Sequence, residues 1–528
     1  MSLSEFIRAF AEHNIIIPVL AVGMLISFLF GRRKKKKAGL SSGYEAAYYV
    51  FSFLADMTAA FSLYFLLCRN GSTFKRVLIF LCAGSVLCAV FPPIIHKLLR
   101  SFRAISDKCD LTDSGLTYSL IFIAVNCFSL FRNAVFLEQN LEWHAPSYVA
   151  DYSMGFSSRF LSGELLGLFV KDEITQKHII IFAGIWYLLI IFLASFMIKK
   201  LVDNAPSRSK PAVKFLTLVL IFMPGSLDSI WTVSKYGKSE LYGLALTLLG
   251  VILFGKLKSV PLKYAVMTVC SVVSVMFYQG HIFMFYTMAL VVMAADVLQN
   301  GSPDKKKFVF AAVSVAVTLA AFSYFQFFAK AVFTNAQEMY DALCARTDVN
   351  LSKKAIESEY FGSLSDSYFF VTDIVDLKQR LHHLTSLILL TPLIISLAYI
   401  ICKQLSEHKV SKADRKINPL VLCLVFSCAI VPQFLLNCDY GRWMTALSLN
   451  VVFTILYLVY RREKATESAM KAFSDQIKAK PVLFALLPVY LVLLGKFECT
   501  SLLPTEAVVW EIAYYFSTKL GPILTALR

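Results

Sequence analysis

The stretch "HIIIFAGIWYLLIIFLASFMI" (178–198) holds no Asp, Glu, Lys or Arg, and "KKLVDNAPSRSKPAVK" (199–214), which follows it, holds five basic residues. A helix rises about 1.5 Å per residue, so an apolar run of this length covers the roughly 30 Å hydrocarbon core of a bilayer. All its backbone polar groups are then satisfied within the helix. The run therefore predicts a transmembrane helix that ends in a basic connection.

The same pattern recurs along the chain. Of 528 residues, 57% are hydrophobic and only 16% charged, which fits a membrane chain better than a soluble one. Candidate spans lie near 14–31, 46–67, 77–95, 115–136, 178–198, 213–230, 240–255, 262–278, 282–298, 308–328, 384–402, 417–436, 443–460 and 481–496. The expected fold is an all-α, polytopic transmembrane helix bundle of about 13–14 spans with interfacial helices in its external loops. Residues 1–110 form an N-terminal three-helix segment, and 111–460 form the core, with long external loops at 137–177 and 329–383. Residues 461–528 comprise a basic loop, the last span and an external tail.

The net charge of +17 invites a nucleic-acid reading, but its placement answers it otherwise. Seven short alternate connections, at 32–37, 96–108, 199–214, 255–263, 303–307, 403–416 and 461–480, hold 32 of the 52 Lys and Arg residues. Such an excess marks cytoplasmic loops. The basicity is topology, and no nucleic-acid partner is expected. Both termini come out external, and the basic run follows the first span instead of preceding it, so 1–31 is not expected to be a cleaved signal. A bacterial inner membrane, with the active site facing outward, fits this arrangement. Most of the 12 cysteines lie inside spans, and only Cys344, Cys438 and Cys499 fall in external segments, where a disulfide could form.

With that topology, polar residues from four connections gather on the external side. "DYSMGFSSRFLSGELLGLF" (151–169) holds Asp151, Arg159 and Glu164. "MPGSLDSIWTVSKYGKSE" (223–240) holds Asp228, Lys235, Lys238 and Glu240. The turn "FYQGHIF" (277–283) holds Tyr278 and His281, and "NCDYGRWM" (437–444) holds Asp439 and Arg442. From about Gly155, apolar residues at three- and four-residue spacing predict an amphipathic helix lying in the outer interface. Asp151 then sits at the mouth of the bundle, placed to take a proton from an attacking hydroxyl. Arg442 and Arg159 suit a lipid phosphate. Each has a plainer reading: snorkelling charges for Arg159 and Glu164, a satisfied polar cap for His281, and a turn-anchoring pair for Asp439 and Arg442. Asp56 lies in mid-span, a position where an acid is either functional or a buried hydrogen-bonding group. His382 and His383 are adjacent and make a poor metal pair. Neither a metal site nor a nucleotide motif is present, so no cofactor is identified and any donor must be carried in the membrane.

Many spans, an acid in a long external loop, an interfacial helix behind it and further charged external turns together resemble the GT-C superfamily of glycosyltransferases. The resemblance implies Asp151 as the catalytic base, "MGFSSRFLSGELLG" (154–167) as the interfacial helix, and the "YGKSE", "YQGH" and "DYGRW" turns as the substrate site. It further implies transfer, with inversion, of sugar from a polyprenyl-phosphate donor to a glycan, lipid or protein acceptor of the cell envelope, with membrane lipid as a partner. Two departures stand out: three spans precede the acidic loop, and the loop has a single clear acid at the expected place. Two alternatives compete. A polysaccharide polymerase or ligase uses a diphosphate-linked donor and an arginine-dominated site. A flippase or transporter of lipid-linked sugars needs charges at depth along a path.

Overall fold

The fold was obtained as a computed structural model. It describes residues 114–131, 141–227, 236–238, 241–298, 303–362, 387–388, 390–410, 417–431, 433–436, 439–497 and 504–505. The chain divides into two compact units, 114–478 with 490–508, and 1–113 with 479–489 and 509–528. The latter is described only over 479–489, so the first three predicted spans and Asp56 lie outside the described residues. Residues 461–478 belong to the larger unit.

The larger unit is helical. Its main elements are α1 (Gly115–Phe131), α2 (Leu161–Gly167), α3 (Gln176–Asp203), α4 (Lys210–Phe222), α5 (Tyr242–Lys256), α6 (Val260–Phe277), α7 (Tyr286–Val297), α8 (Lys305–Phe327), α9 (Ala336–Cys344), α10 (Thr391–Val410), α11 (Pro419–Ser427), α12 (Tyr440–Tyr460) and α13 (Lys464–Ala479). A further helix, Pro481–Leu493, straddles the two units. The strands among the described residues are one short antiparallel pair, Lys496 opposite Thr505 and Phe497 opposite Pro504.

Local chemistry sets the helix ends. Asp304 caps α8 by accepting from the Lys307 amide, Asn335 caps α9 through Glu338, and Asn418 caps α11 through Leu420. Each side-chain oxygen satisfies an amide with no partner inside the helix. Prolines in the first turns of α4, α6 and α11 fit positions where the missing N–H costs nothing. Within the predicted span 213–230, α4 ends at Phe222, because Pro224 drives Met223 into an extended conformation.

Beyond residue 113, every predicted span carries a helix over described residues. Among the described residues four helices, α3, α6, α8 and α12, are long and apolar enough to cross a membrane. In sequence order α1 packs on α3, α3 on α5, α5 on α6 and α6 on α8, while α7, α11 and α12 pack together. Burial separates the inner helices from the outer ones: 72% of the apolar window of α12 is buried, against 17% for α8. On α3, Ile181, Ile185, Leu188, Phe192 and Phe196 stand exposed, as do Phe308, Val309, Val313 and Val317 on α8. Apolar surface of that extent marks a contact with lipid or with another protein surface. Amphipathic α13 buries Ala465, Ala469, Met470 and Phe473, with Phe473 against Phe215 of α4 and Tyr399 of α10.

Candidate functional site

The segment 151–169 is the hub of one end of the larger unit. Its helix begins at Leu161 instead of Gly155, and one turn of 3-10 helix covers Tyr152–Met154. The helix starts late because Gly155 forms a backbone bridge with Ala331, and Val332 donates its amide to the Met154 carbonyl at 2.9 Å. Gly155 has φ +115°, and a Cβ there would lie 2.7 Å from the Lys330 carbonyl oxygen. Only glycine tolerates that combination. Arg159 also adopts a left-handed conformation, φ 75°, and donates its amide to the Met276 carbonyl at 2.9 Å. A non-glycine residue held there stores on the order of 1–3 kcal/mol, which surrounding contacts must offset.

A second glycine fixes the helix itself. Any Cβ on Gly163 would collide with the Ala150 carbonyl, one residue from Asp151. A Gly163→Ala protein is therefore expected to lose about 1–3 kcal/mol of stability, read as a lower unfolding midpoint in detergent. An unchanged midpoint would mean that the segment is not locked to Ala150.

Asp151 lies between two sets of donors. One carboxylate oxygen accepts from the Ser153 amide at 3.0 Å and from the Ser153 hydroxyl. The other pairs with Arg346, which follows α9, 195 residues away in sequence. Burial works to raise the Asp151 pKa, but the hydrogen bond from Arg346, those from Ser153 and the Arg346 charge outweigh it and hold the carboxyl below its usual range. The side chain keeps 20% of its surface open. A carboxylate held ionised with an open edge can accept a proton or face a developing positive charge.

Removing Arg346 leaves burial opposed by Ser153 alone, so the Asp151 pKa must rise. An Arg346→Gln protein should then need a higher pH to keep Asp151 ionised, read by following the Asp151 carboxyl spectroscopically against pH. A titration unmoved from wild type would separate Arg346 from the ionisation of Asp151.

A second cluster lies around Tyr278, just past the end of α6. The Arg159 guanidinium carbon stands 4.8 Å from the Tyr278 ring centre, and that of Arg442 stands 6.0 Å from it. Arg159 is paired at 2.6 Å with Glu359, which also accepts from the Trp143 indole at 3.0 Å. Arg442, in the first turn of α12, pairs with Asp439 and lies 4.5 Å over the ring of Trp443. Beside Tyr278, Gln279 accepts from the Ser158 hydroxyl at 2.6 Å. Two guanidinium groups flank one tyrosine, each oriented by its own carboxylate, so the cluster is charge-balanced with fixed geometry, and guanidinium donors suit an anionic oxygen group. The Trp443 indole N–H is buried and has no hydrogen-bond partner among the described residues.

The remaining candidates are placed differently. Glu164, in the first turn of α2, accepts from the Tyr152 amide at 3.2 Å and braces the hub. The Tyr152 hydroxyl is pushed up to about 12, by burial and then by Glu164. His281 is fully buried: its Nε2 lies 3.0 Å from the Thr247 hydroxyl of α5, and its ring sits where a Cβ on Gly243 would fall. Lys238 is buried among tyrosines, beside the Gly237 carbonyl that accepts from Tyr148 at 2.5 Å. Asp228, Lys235 and Glu240 lie outside the described residues, as do His382 and His383. Cys344 is a free thiol, and Cys438 and Cys499 lie outside the described residues. Among the described residues no group of three His, Cys, Asp or Glu is placed to hold a metal.

The structure thus brings Arg159, Tyr278, Asp439 and Arg442 together and joins Asp151 and Glu164 to the same segment. Arg346, Glu359, Trp143, Ser158 and Gln279 complete the arrangement, and the sequence pattern had not singled them out. Compared with models of known protein families, with curated proteins and with solved structures, the chain finds no match.

Proposed function

We propose that the protein is a GT-C-like integral membrane glycosyltransferase acting at the external face of a bacterial inner membrane. In this reading Asp151 deprotonates an acceptor hydroxyl of a cell-envelope glycan, lipid or protein. The hydroxyl attacks the anomeric carbon of a polyprenyl-phosphate sugar with inversion, and Arg442 and Arg159 stabilise the departing phosphate. The observation that carries it is that Asp151, a partly open carboxylate, stands on the same short segment as Arg159, whose guanidinium shares the Tyr278 ring with that of Arg442 of α12. Exposed Leu168 and Phe169 after α2, Phe327 at the end of α8, and Phe328 and Val332 beyond it supply an apolar rim suited to a lipid-borne donor.

A second reading takes support from Arg159, Arg346 and Arg442: an arginine-rich site also suits a polymerase or ligase with a diphosphate-linked donor. Transfer of radiolabelled sugar by purified protein in nanodiscs, from monophosphate- and diphosphate-linked donors in parallel, separates the two. Turnover with monophosphate donors supports the transferase. Turnover confined to diphosphate donors makes it a polymerase or ligase, and transbilayer movement of lipid-linked sugar without turnover makes it a flippase.

A further inference from the structure

The cluster at the C-terminal end of α6 answers its guanidiniums with carboxylates but leaves two neutral donors without an acceptor. Arg159 is held by Glu359 and Arg442 by Asp439, so a phosphate that draws on either guanidinium competes with a carboxylate already in place. The neutral donors have no such competitor. The Trp443 indole N–H, on the ring that Arg442 covers, is fully buried and unpaired among the described residues. The Tyr278 side chain is 7% exposed, and its hydroxyl forms no hydrogen bond among the described residues. An indole N–H only donates, and a phenol has one hydrogen to give. Unpaired polar groups in a buried setting are costly, and a ligand with acceptor oxygens removes that cost.

The backbone holds the Tyr278 ring in one place. Its amide donates to the Ser274 carbonyl at 3.1 Å, and its carbonyl accepts from the His281 amide at 3.0 Å. Before it, Met276 accepts from the Arg159 amide, after it, Gln279 accepts from Ser158, and His281 ties the turn to Thr247 of α5. The phenol end lies directly against Gly280: a Cβ there would stand 2.5 Å from the ring carbon that bears the hydroxyl and 2.6 Å from the hydroxyl oxygen. A side chain at position 280 must therefore displace the ring from its place beside the two guanidiniums.

We infer that the Tyr278 hydroxyl is a ligand of the departing phosphate and that Gly280 positions it, an inference that rests on the polyprenyl-phosphate reading above. In that step the acceptor hydroxyl gives its proton to Asp151 as its oxygen bonds the anomeric carbon. The bond from that carbon to the phosphate oxygen breaks, and its electron pair stays on that oxygen. Tyr278 keeps its own proton and donates a hydrogen bond to the phosphate. The leaving phosphate carries one more negative charge than it did in the donor, so this bond strengthens as the leaving group forms.

Equilibrium binding of a polyprenyl monophosphate, the leaving group itself, to the full chain in nanodiscs tests this without turnover. Tyr278→Phe keeps the ring beside both guanidiniums and removes only the hydroxyl. It should weaken binding by about 10- to 100-fold, the usual worth of one hydrogen bond to a charged group, with an unfolding midpoint equal to that of wild type. Gly280→Ala retains the hydroxyl but moves it, so it should lose affinity as well, and it serves as the second variant should the first fail to fold. A ring that acts only as packing predicts wild-type affinity in Tyr278→Phe, and that result would overturn the inference. A wild-type protein that binds the monophosphate no better than the corresponding polyprenyl alcohol would overturn the phosphate reading itself, and the inference with it.

Discussion

Asp151→Asn is expected to lower sugar transfer by about 10²- to 10⁴-fold, the usual worth of a positioned general base. The substitution keeps the shape of the side chain, and its amide oxygen can still accept from the Ser153 amide that caps the following turn. What disappears is the charge that Arg346 holds in place and the basic oxygen at the open edge. Initial rates in nanodiscs, set beside unfolding midpoints, distinguish lost chemistry from lost structure. A folded Asp151→Asn protein that turns over at the wild-type rate would remove Asp151 from the mechanism.

Arg442→Gln should lower kcat/KM by about 10²- to 10³-fold, the loss usual for one preorganised donor to a developing anion. Its guanidinium is 9% exposed and packed over Trp443, so the loss also leaves Asp439 without its cation. For that reason the diagnostic is the division of the effect. A phosphate ligand of the transition state lowers kcat, whereas a turn anchor lowers the unfolding midpoint and leaves the turnover of the folded fraction near wild type. Asp439→Asn, which keeps the guanidinium, should cost activity much less than Arg442→Gln, and equal losses in the two would favour the anchoring role.

The helices were legible because hydrophobicity over some 20 residues is a local property: each such run past residue 113 carries a helix over described residues, and four of these are long and apolar enough to cross a membrane. Their ends were less so. Pro224 stops α4 well short of the predicted boundary, a signal present in the sequence but overridden by the apolar residues around it. The interfacial helix was anticipated, yet its first turn is taken up by a backbone bridge to Ala331, a partner that no local pattern reveals. For the same reason Arg346 and Glu359 went unnoticed: each is an isolated charge in a mixed segment, given meaning by a residue some 200 positions earlier. His281 shows the converse. A histidine at a tight turn reads first as a polar cap at the helix end, but the small Gly243 on α5 lets its ring turn inward to Thr247.

The distance in sequence between Asp151 and Arg346 bears on biosynthesis. A chain leaving the ribosome releases Asp151 long before its cation exists, and the contacts of Arg159 with Glu359 and of Tyr278 with Arg442 wait longer still. The helices can enter the bilayer one after another from local hydrophobicity alone. The site has no such stepwise route, since contacts between distant residues form late. A chain that stops before residue 346 thus leaves Asp151 without the cation that holds it, and the Tyr278 cluster waits for Arg442.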